Sequence, residues 1–271
     1  MDEILAFLKS LIPDGFLIEK FLYAALLLIV GALVLGFLGR LIFGKKSVLN
    51  QSVSSAIGIL FIYALTIVLH SQGMNLKLLM SPLPFITLSG DYLMLYSFVS
   101  SDYVIACGQL LNMIVLSFLV NLLNSWLPKG KKLFPWLFFR FLSVILAMIL
   151  HTIVSMLLTM FLPEGLITWA PVVLLGLLLL MLATGALKFL VGAVIGTVNP
   201  VIGLLYTFFF STIIGKQLSK AVLTTGLIFG LIAGLNYIGV TAIYIAGSAR
   251  IAYIPLLIIL LALWYVIGHL L

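Results

Sequence analysis

The stretch "LIFGKKSVLNQ", residues 41–51, lies between two long apolar runs, and its reading decides the fold. Gly44-Lys45-Lys46 is a charged bend followed by a polar helix start, so the runs on either side form a helical hairpin rather than one segment. The same pattern returns as "LPKGKKLFPW" 86 residues on, counted from Gly44 to Gly130, and as "IIGKQLSK" after 85 more, at Gly215. At the 86-residue offset Leu33, Leu41 and Thr66-Ile67-Val68 also match Leu119, Leu127 and Thr152-Ile153-Val154. The spacing predicts three pseudo-repeated hairpins, near 17–70, 103–162 and 167–247, and a final helix at 251–270.

What surrounds these bends fixes the class. The 271 residues are 64% apolar and 8% charged, with a mean hydropathy of +1.36. A soluble domain carries about 25% charged residues, and a third of that cannot coat a water-facing surface, so most of the surface faces lipid. Apolar runs of about 20 residues are too long and too poorly alternating for barrel strands. The expected fold is therefore all-α, a polytopic transmembrane bundle of about seven spans. The spans are placed near 17–42, 49–69, 103–126, 134–162, 167–190, 221–247 and 251–270. A shorter piece, 200–214, ends at Lys216 and reads as a re-entrant half-helix. Residues 1–14 read as an interfacial amphipathic helix, since Asp2 and Glu3 stand where a signal peptide would be basic. Residues 15–271 form a single transmembrane domain, in which 71–102, with Pro82, Pro84 and Gly90, is a loop.

Basic residues of short loops collect on the cytoplasmic side. Lys45, Lys46, Lys131, Lys132 and Lys216 therefore set the topology, and with Arg40, Lys129, Arg140, Lys188 and Lys220 they put 10 of the 14 cations inside. The net charge of +7 is thereby explained by membrane orientation and not by nucleic acid. The chain is therefore expected to be multi-pass, with the bilayer, other membrane proteins or further copies of itself as partners.

Polar side chains within the apolar runs are costly in hydrocarbon and turn to the bundle interior. Gln109 and Asn112 share one side of the third span, and Asn121 and Asn124 follow. Arg140 and His151 are 11 residues apart on one face of the fourth. His151 reads either as a proton-relay or ligand group or as a histidine satisfied by a neighbouring helix, and Arg140 reads as snorkelling to the interface. In "GAVIGTVNPVIG", residues 192–203, Asn199-Pro200 stops a helix and frees backbone groups that suit an ion or a small polar solute. Thr224, Thr225 and Asn236 on the following helix are candidates to face that break. Gly226, Gly230 and Gly234 form a ridge suited to close helix packing.

Catalytic signatures are missing from the sequence. It holds no HExxH, GxSxG or Walker loop, and Asp91 of "LSGDY" has no second intramembrane aspartate to pair with. One cysteine, Cys107, rules out an intramolecular disulfide, and His70, His151 and His269 lie on separate helices. The expectation is a non-enzyme with no cofactor and no metal, leaving an intramembrane lipid-modifying enzyme as the weakest alternative.

The unit of apolar helix, basic residue, glycine-containing bend, polar start and glycine-rich helix resembles the bacterial CvpA (colicin V production) family. It is carried by "GFLGRLIFGKKSVLNQSVSSAIGIL", residues 36–60, and "VNPVIGLLYTFFFSTIIGKQLSKAVL", residues 198–223. The resemblance covers about a third of the chain, which is longer than that family's roughly four-span members. It implies an inner-membrane protein linked to toxin production or export and to envelope homeostasis, and it supplies no catalytic residues. The resulting expectation is a transport or export component whose polar path joins His151, Gln109, Asn112, Asn199, Pro200, Thr224, Thr225 and Asn236. A membrane scaffold recruiting partner proteins is the other open reading.

Overall fold

A computed structural model describes residues 18–43, 48–71, 86–89, 92–95, 103–128, 130, 132–161, 169–237, 242–244 and 249–270. The interfacial helix at 1–14 and the bend at Lys45, Lys46 lie outside the described residues, as does Lys131. Helices dominate, in the order α1 (Ile18–Phe43), α2 (Val48–Ser71), α3 (Tyr103–Trp126), α4 (Leu133–Phe161), α5 (Ala170–Thr184) and α6 (Lys188–Val198). Then come α7 (Pro200–Leu204), a π-helical stretch (Leu205–Gly215), α8 (Lys216–Tyr237) and α9 (Ala249–Tyr265), which ends in a second π-helical stretch (Val266–Leu270).

Three of these elements are long and apolar enough to cross a membrane: Ala106–Trp126, Leu133–Val154 and the continuous helix Pro200–Gly230. A fourth joins them if α5 and α6, bent by 85°, count as one span. The chain is a membrane protein by these helices. Its core lies where α2, α3, α4, α8 and α9 meet, around Ile59, Met113, Leu116, Met148, Ile228 and Trp264. Trp264 reaches this centre because residue 58 is glycine; a Cβ there would stand 2.5 Å from the indole. Its ring also meets Phe61 at 5.8 Å and Trp136 at 5.9 Å between centroids.

The structure departs from the expected spans at four places, each with a local cause. The helix expected at 167–190 breaks at 185–187, where Gly185 is a weak helix former and the Thr184 hydroxyl donates to the Leu180 carbonyl at 2.7 Å, competing with the backbone ladder. The half-helix expected at 200–214 does not end at Lys216, because the helix runs through Gly215-Lys216 without a bend. Gly215 instead admits Thr184, whose Cβ would lie 2.6 Å from a Cβ at 215. Thr207 donates to the Gly203 carbonyl and Ser211 to the Thr207 carbonyl, so hydroxyls occupy acceptors of the i→i−4 ladder in the π-helical stretch. Of the Gly-Lys bends, then, Gly130 does mark the α3–α4 turn, against the Trp136 backbone, whereas Gly215 marks a packing contact.

The other two departures concern strands. The expected helix at 221–247 stops at Tyr237, and Ala242–Tyr244 is a strand, β3, in a stretch rich in β-branched residues and containing Gly239. It joins β1 (Ile86–Ser89) and β2 (Tyr92–Leu95), which fall in the segment expected to be loop. The three form an antiparallel sheet in the order β1-β2-β3, with Ser89 opposite Tyr92 and Tyr92 opposite Tyr244. The helical membrane bundle stands as expected, with this small sheet added to it among the described residues.

Candidate functional site

Several of the buried polar side chains gather into a seam between α2, α3 and α8. Asn121 sits at its centre, with its amide oxygen accepting from Ser55 at 2.8 Å. Its amide nitrogen donates to the Ser117 carbonyl at 2.8 Å and to the Thr224 hydroxyl at 3.4 Å. Thr224 donates to the Ser52 carbonyl at 3.4 Å, Ser52 to the Lys220 carbonyl at 3.3 Å, and Thr225 to the Ser117 hydroxyl at 3.3 Å. The positions follow from helical spacing: Ser52 and Ser55 are three apart on α2, Ser117 and Asn121 four apart on α3, Lys220 and Thr224 four apart on α8.

Two cations stand at this seam. Lys220, expected in a cytoplasmic loop, is instead 5% exposed, because α8 begins earlier than expected and packs its first turns between α2 and α3. Arg140, expected to snorkel, turns inward and donates to the Asn124 carbonyl at 2.9 Å and its side-chain oxygen at 2.6 Å, which Ser143 also reaches at 2.7 Å. Asn124 is one turn from Asn121, so Arg140 extends the seam along α3. No Asp or Glu occurs in the sequence of α2, α3, α4 or α8.

The expected path is only partly assembled. His151 is buried and hydrogen-bonds the backbone at Asn112, so these two are brought together, with Gln109 one turn away on α3. The His151 Nδ1 and Gln109 Oε1 atoms are buried without a protein partner. Thr224 and Thr225 face α2 and α3 rather than the Asn199 break. Asn236 is in the last turn of α8, and its side chain lies outside the described residues.

Asn199 and Pro200 do separate two helices as expected, but they are exposed at a hairpin tip away from the seam. The Asn199 side chain accepts from the amides of Val201 at 3.0 Å and Ile202 at 3.3 Å. Those amides are therefore capped from within and not left for an ion. Lys132 is exposed beside the α3–α4 turn, and Lys216 is exposed on the helix surface.

The Gly226 and Gly230 ridge also differs from expectation, since among the described residues nothing lies within 4 Å of a Cβ at either position; Gly234 falls outside the residues whose side chains are described. Among the described residues no cluster of His, Cys, Asp or Glu is suited to a metal ion.

Sequence reasoning missed Ser52, Ser55 and Lys220 because polar residues next to a bend read as loop chemistry. Their signal was the three- and four-residue spacing, which matches that of Ser117, Asn121 and Asn124. No family model, no curated protein and no solved structure matches the chain.

Proposed function

We propose that the chain is a non-catalytic component of a bacterial inner-membrane transport or export system, with the α2–α3–α8 seam as its polar path. The observation that carries the reading is Lys220, a residue with an ionisable side chain that is 5% exposed in a membrane bundle and whose backbone carbonyl accepts from Ser52 in the seam. Ionisable groups at such positions are expensive and mark substrate or ion pathways. The seam replaces the wider path through Asn199 and Pro200. About seven spans, duplicated hairpins at 17–70 and 103–162, and the tie to toxin production or envelope homeostasis implied by the CvpA resemblance belong to the same proposal.

A second reading, a scaffold that recruits membrane partners, is favoured by the open Gly226 and Gly230 face of α8. Small-residue faces let a neighbouring helix approach closely. One experiment separates the two. Single cysteines at positions 52, 112, 121, 151 and 224 in a Cys107→Ser background are offered membrane-impermeant thiol reagents. Labelling at 52, 121 and 224 is expected for a path. Protection at all five, with crosslinking between copies or partners through 226 or 230, rejects transport in favour of a scaffold.

A further inference from the structure

Arg140 meets the bundle with one nitrogen. Its Nη1 donates to the carbonyl and the side-chain oxygen of Asn124, at 2.9 and 2.6 Å, while Nε and Nη2 make no hydrogen bond among the described residues. These two atoms are not sealed inside, since no nitrogen of Arg140 stands among the buried atoms without a partner and the residue is half-buried. Together they form one edge of the guanidinium, a planar fork that suits two oxygens of a single anion.

Asn124 gives the place its polarity. Its side-chain oxygen accepts from Arg140 and lies 2.7 Å from the Ser143 hydroxyl, which fills both lone pairs. Arg140 can only donate, so the amide orientation is settled and Asn124 Nδ2 is turned away from the guanidinium. That nitrogen has no hydrogen-bond partner among the described residues, and it too is not sealed inside. The open side-chain atoms of the cluster are therefore all donors. Such a set takes a ligand that accepts.

Charge points the same way. Both Asn124 oxygens are neutral, and no Asp or Glu occurs in α2, α3, α4 or α8 to face the guanidinium. The turn between α3 and α4 adds Lys129, Lys131 and Lys132 in sequence, again without an acid. Charges of one sign gathered on one part of a surface raise the local concentration of the opposite ion. A phosphate group has oxygens enough for the fork and the Asn124 amide together.

We propose that Arg140, positioned by Asn124 and Ser143, binds a phosphate group on its Nε–Nη2 edge, carried by an anionic lipid or present as free phosphate. The site does not rest on the transport reading, since a phosphate held there suits a scaffold equally.

The test uses the full chain purified in a neutral detergent. Its thermal unfolding midpoint is followed against inorganic phosphate, with chloride at equal ionic strength as reference, and separately against phosphatidylglycerol, with phosphatidylcholine as reference. Phosphate stabilises folded proteins even without a site, so Arg140→Lys, which keeps the charge and loses the fork, supplies the baseline. At least one titration is expected to saturate in the native sequence, with an apparent dissociation constant about tenfold higher in Arg140→Lys, as loss of a charge-assisted hydrogen bond requires. Saturation by inorganic phosphate identifies free phosphate as a ligand, and saturation by phosphatidylglycerol alone identifies a lipid headgroup. Asn124→Asp, which keeps an oxygen for Arg140 and supplies the missing carboxylate, is expected to abolish saturation and serves as the readout if Arg140→Lys does not fold. Midpoints that saturate with neither ligand, or binding that is unchanged in the two variants, would leave Arg140 as a clasp between α3 and α4 and overturn the proposal.

Discussion

Gly58 is the residue on which the packing of the last helix turns. The Trp264 ring occupies the volume a side chain at 58 would need, and an indole cannot give way as a flexible chain does. Gly58→Ala is expected to cost about 1–3 kcal/mol by overpacking, read as a lower midpoint of thermal unfolding in detergent. Pairing it with Trp264→Phe should recover part of the loss, because contacting residues are non-additive. Asn121 is the corresponding polar keystone. Asn121→Leu leaves the Ser55 hydroxyl without its acceptor and is expected to cost about 0.6–1.7 kcal/mol, from the average to the maximum measured for hydrogen bonds between membrane helices. A double-mutant cycle with Ser55→Ala reads that coupling; a cycle that closes at zero would mean the bond contributes nothing. Gly58 could not be singled out in the sequence, since nothing in "SAIGIL" says that a tryptophan 206 positions later will lie over it.

At the scale of elements, the Asn199-Pro200 junction was legible because its cause is local. Proline removes a donor and biases the residue before it, and the structure has Asn199 extended at φ −150°, ψ 111° between two helices. Its job was not legible, because the side chain caps its own amides instead of leaving them to a ligand. Asn199→Ala is therefore expected to destabilise the hairpin by about 1 kcal/mol. Pro200→Ala should change stability by less than about 0.5 kcal/mol, since any good helix former suits the first helical position. Backbone amide exchange at Val201 and Ile202 checks both, with faster exchange expected only in Asn199→Ala. The long element through Gly215-Lys216 shows the converse. A glycine followed by a lysine reads as a bend, and only the contact with Thr184 from a different helix reveals that the glycine serves packing. Similar words in a sequence take different structural roles when the tertiary neighbours differ.

On the scale of the whole molecule, composition alone made the membrane assignment, because a charged fraction of 8% leaves no other surface. Which helices neighbour one another was beyond it: lipid-facing and core-facing positions are equally apolar, so periodicity carries little contrast. The polar seam supplies that contrast after the fact, tying α2, α3 and α8 together. The closing helix α9 ties the remainder, with Trp264 among Phe61, Trp136 and the α2 backbone. Trp264→Ala is expected to cost about 3–5 kcal/mol and to broaden the size-exclusion peak of the purified protein, an effect reaching helices far from position 264.

The small sheet carries a consequence for how the protein is made. Tyr92 pairs with Tyr244, a separation of 152 residues, while its pairing with Ser89 is immediate. A ribosome adding about 5–20 residues per second takes roughly 8–30 s to bring β3 within reach of β2. For that interval one edge of β2 has its backbone donors and acceptors open, the state in which strands pair with the wrong neighbour. Assembly of this molecule is finished from its two ends in sequence, and only when synthesis has passed residue 244 does the nascent chain close the edge it left open at residue 92.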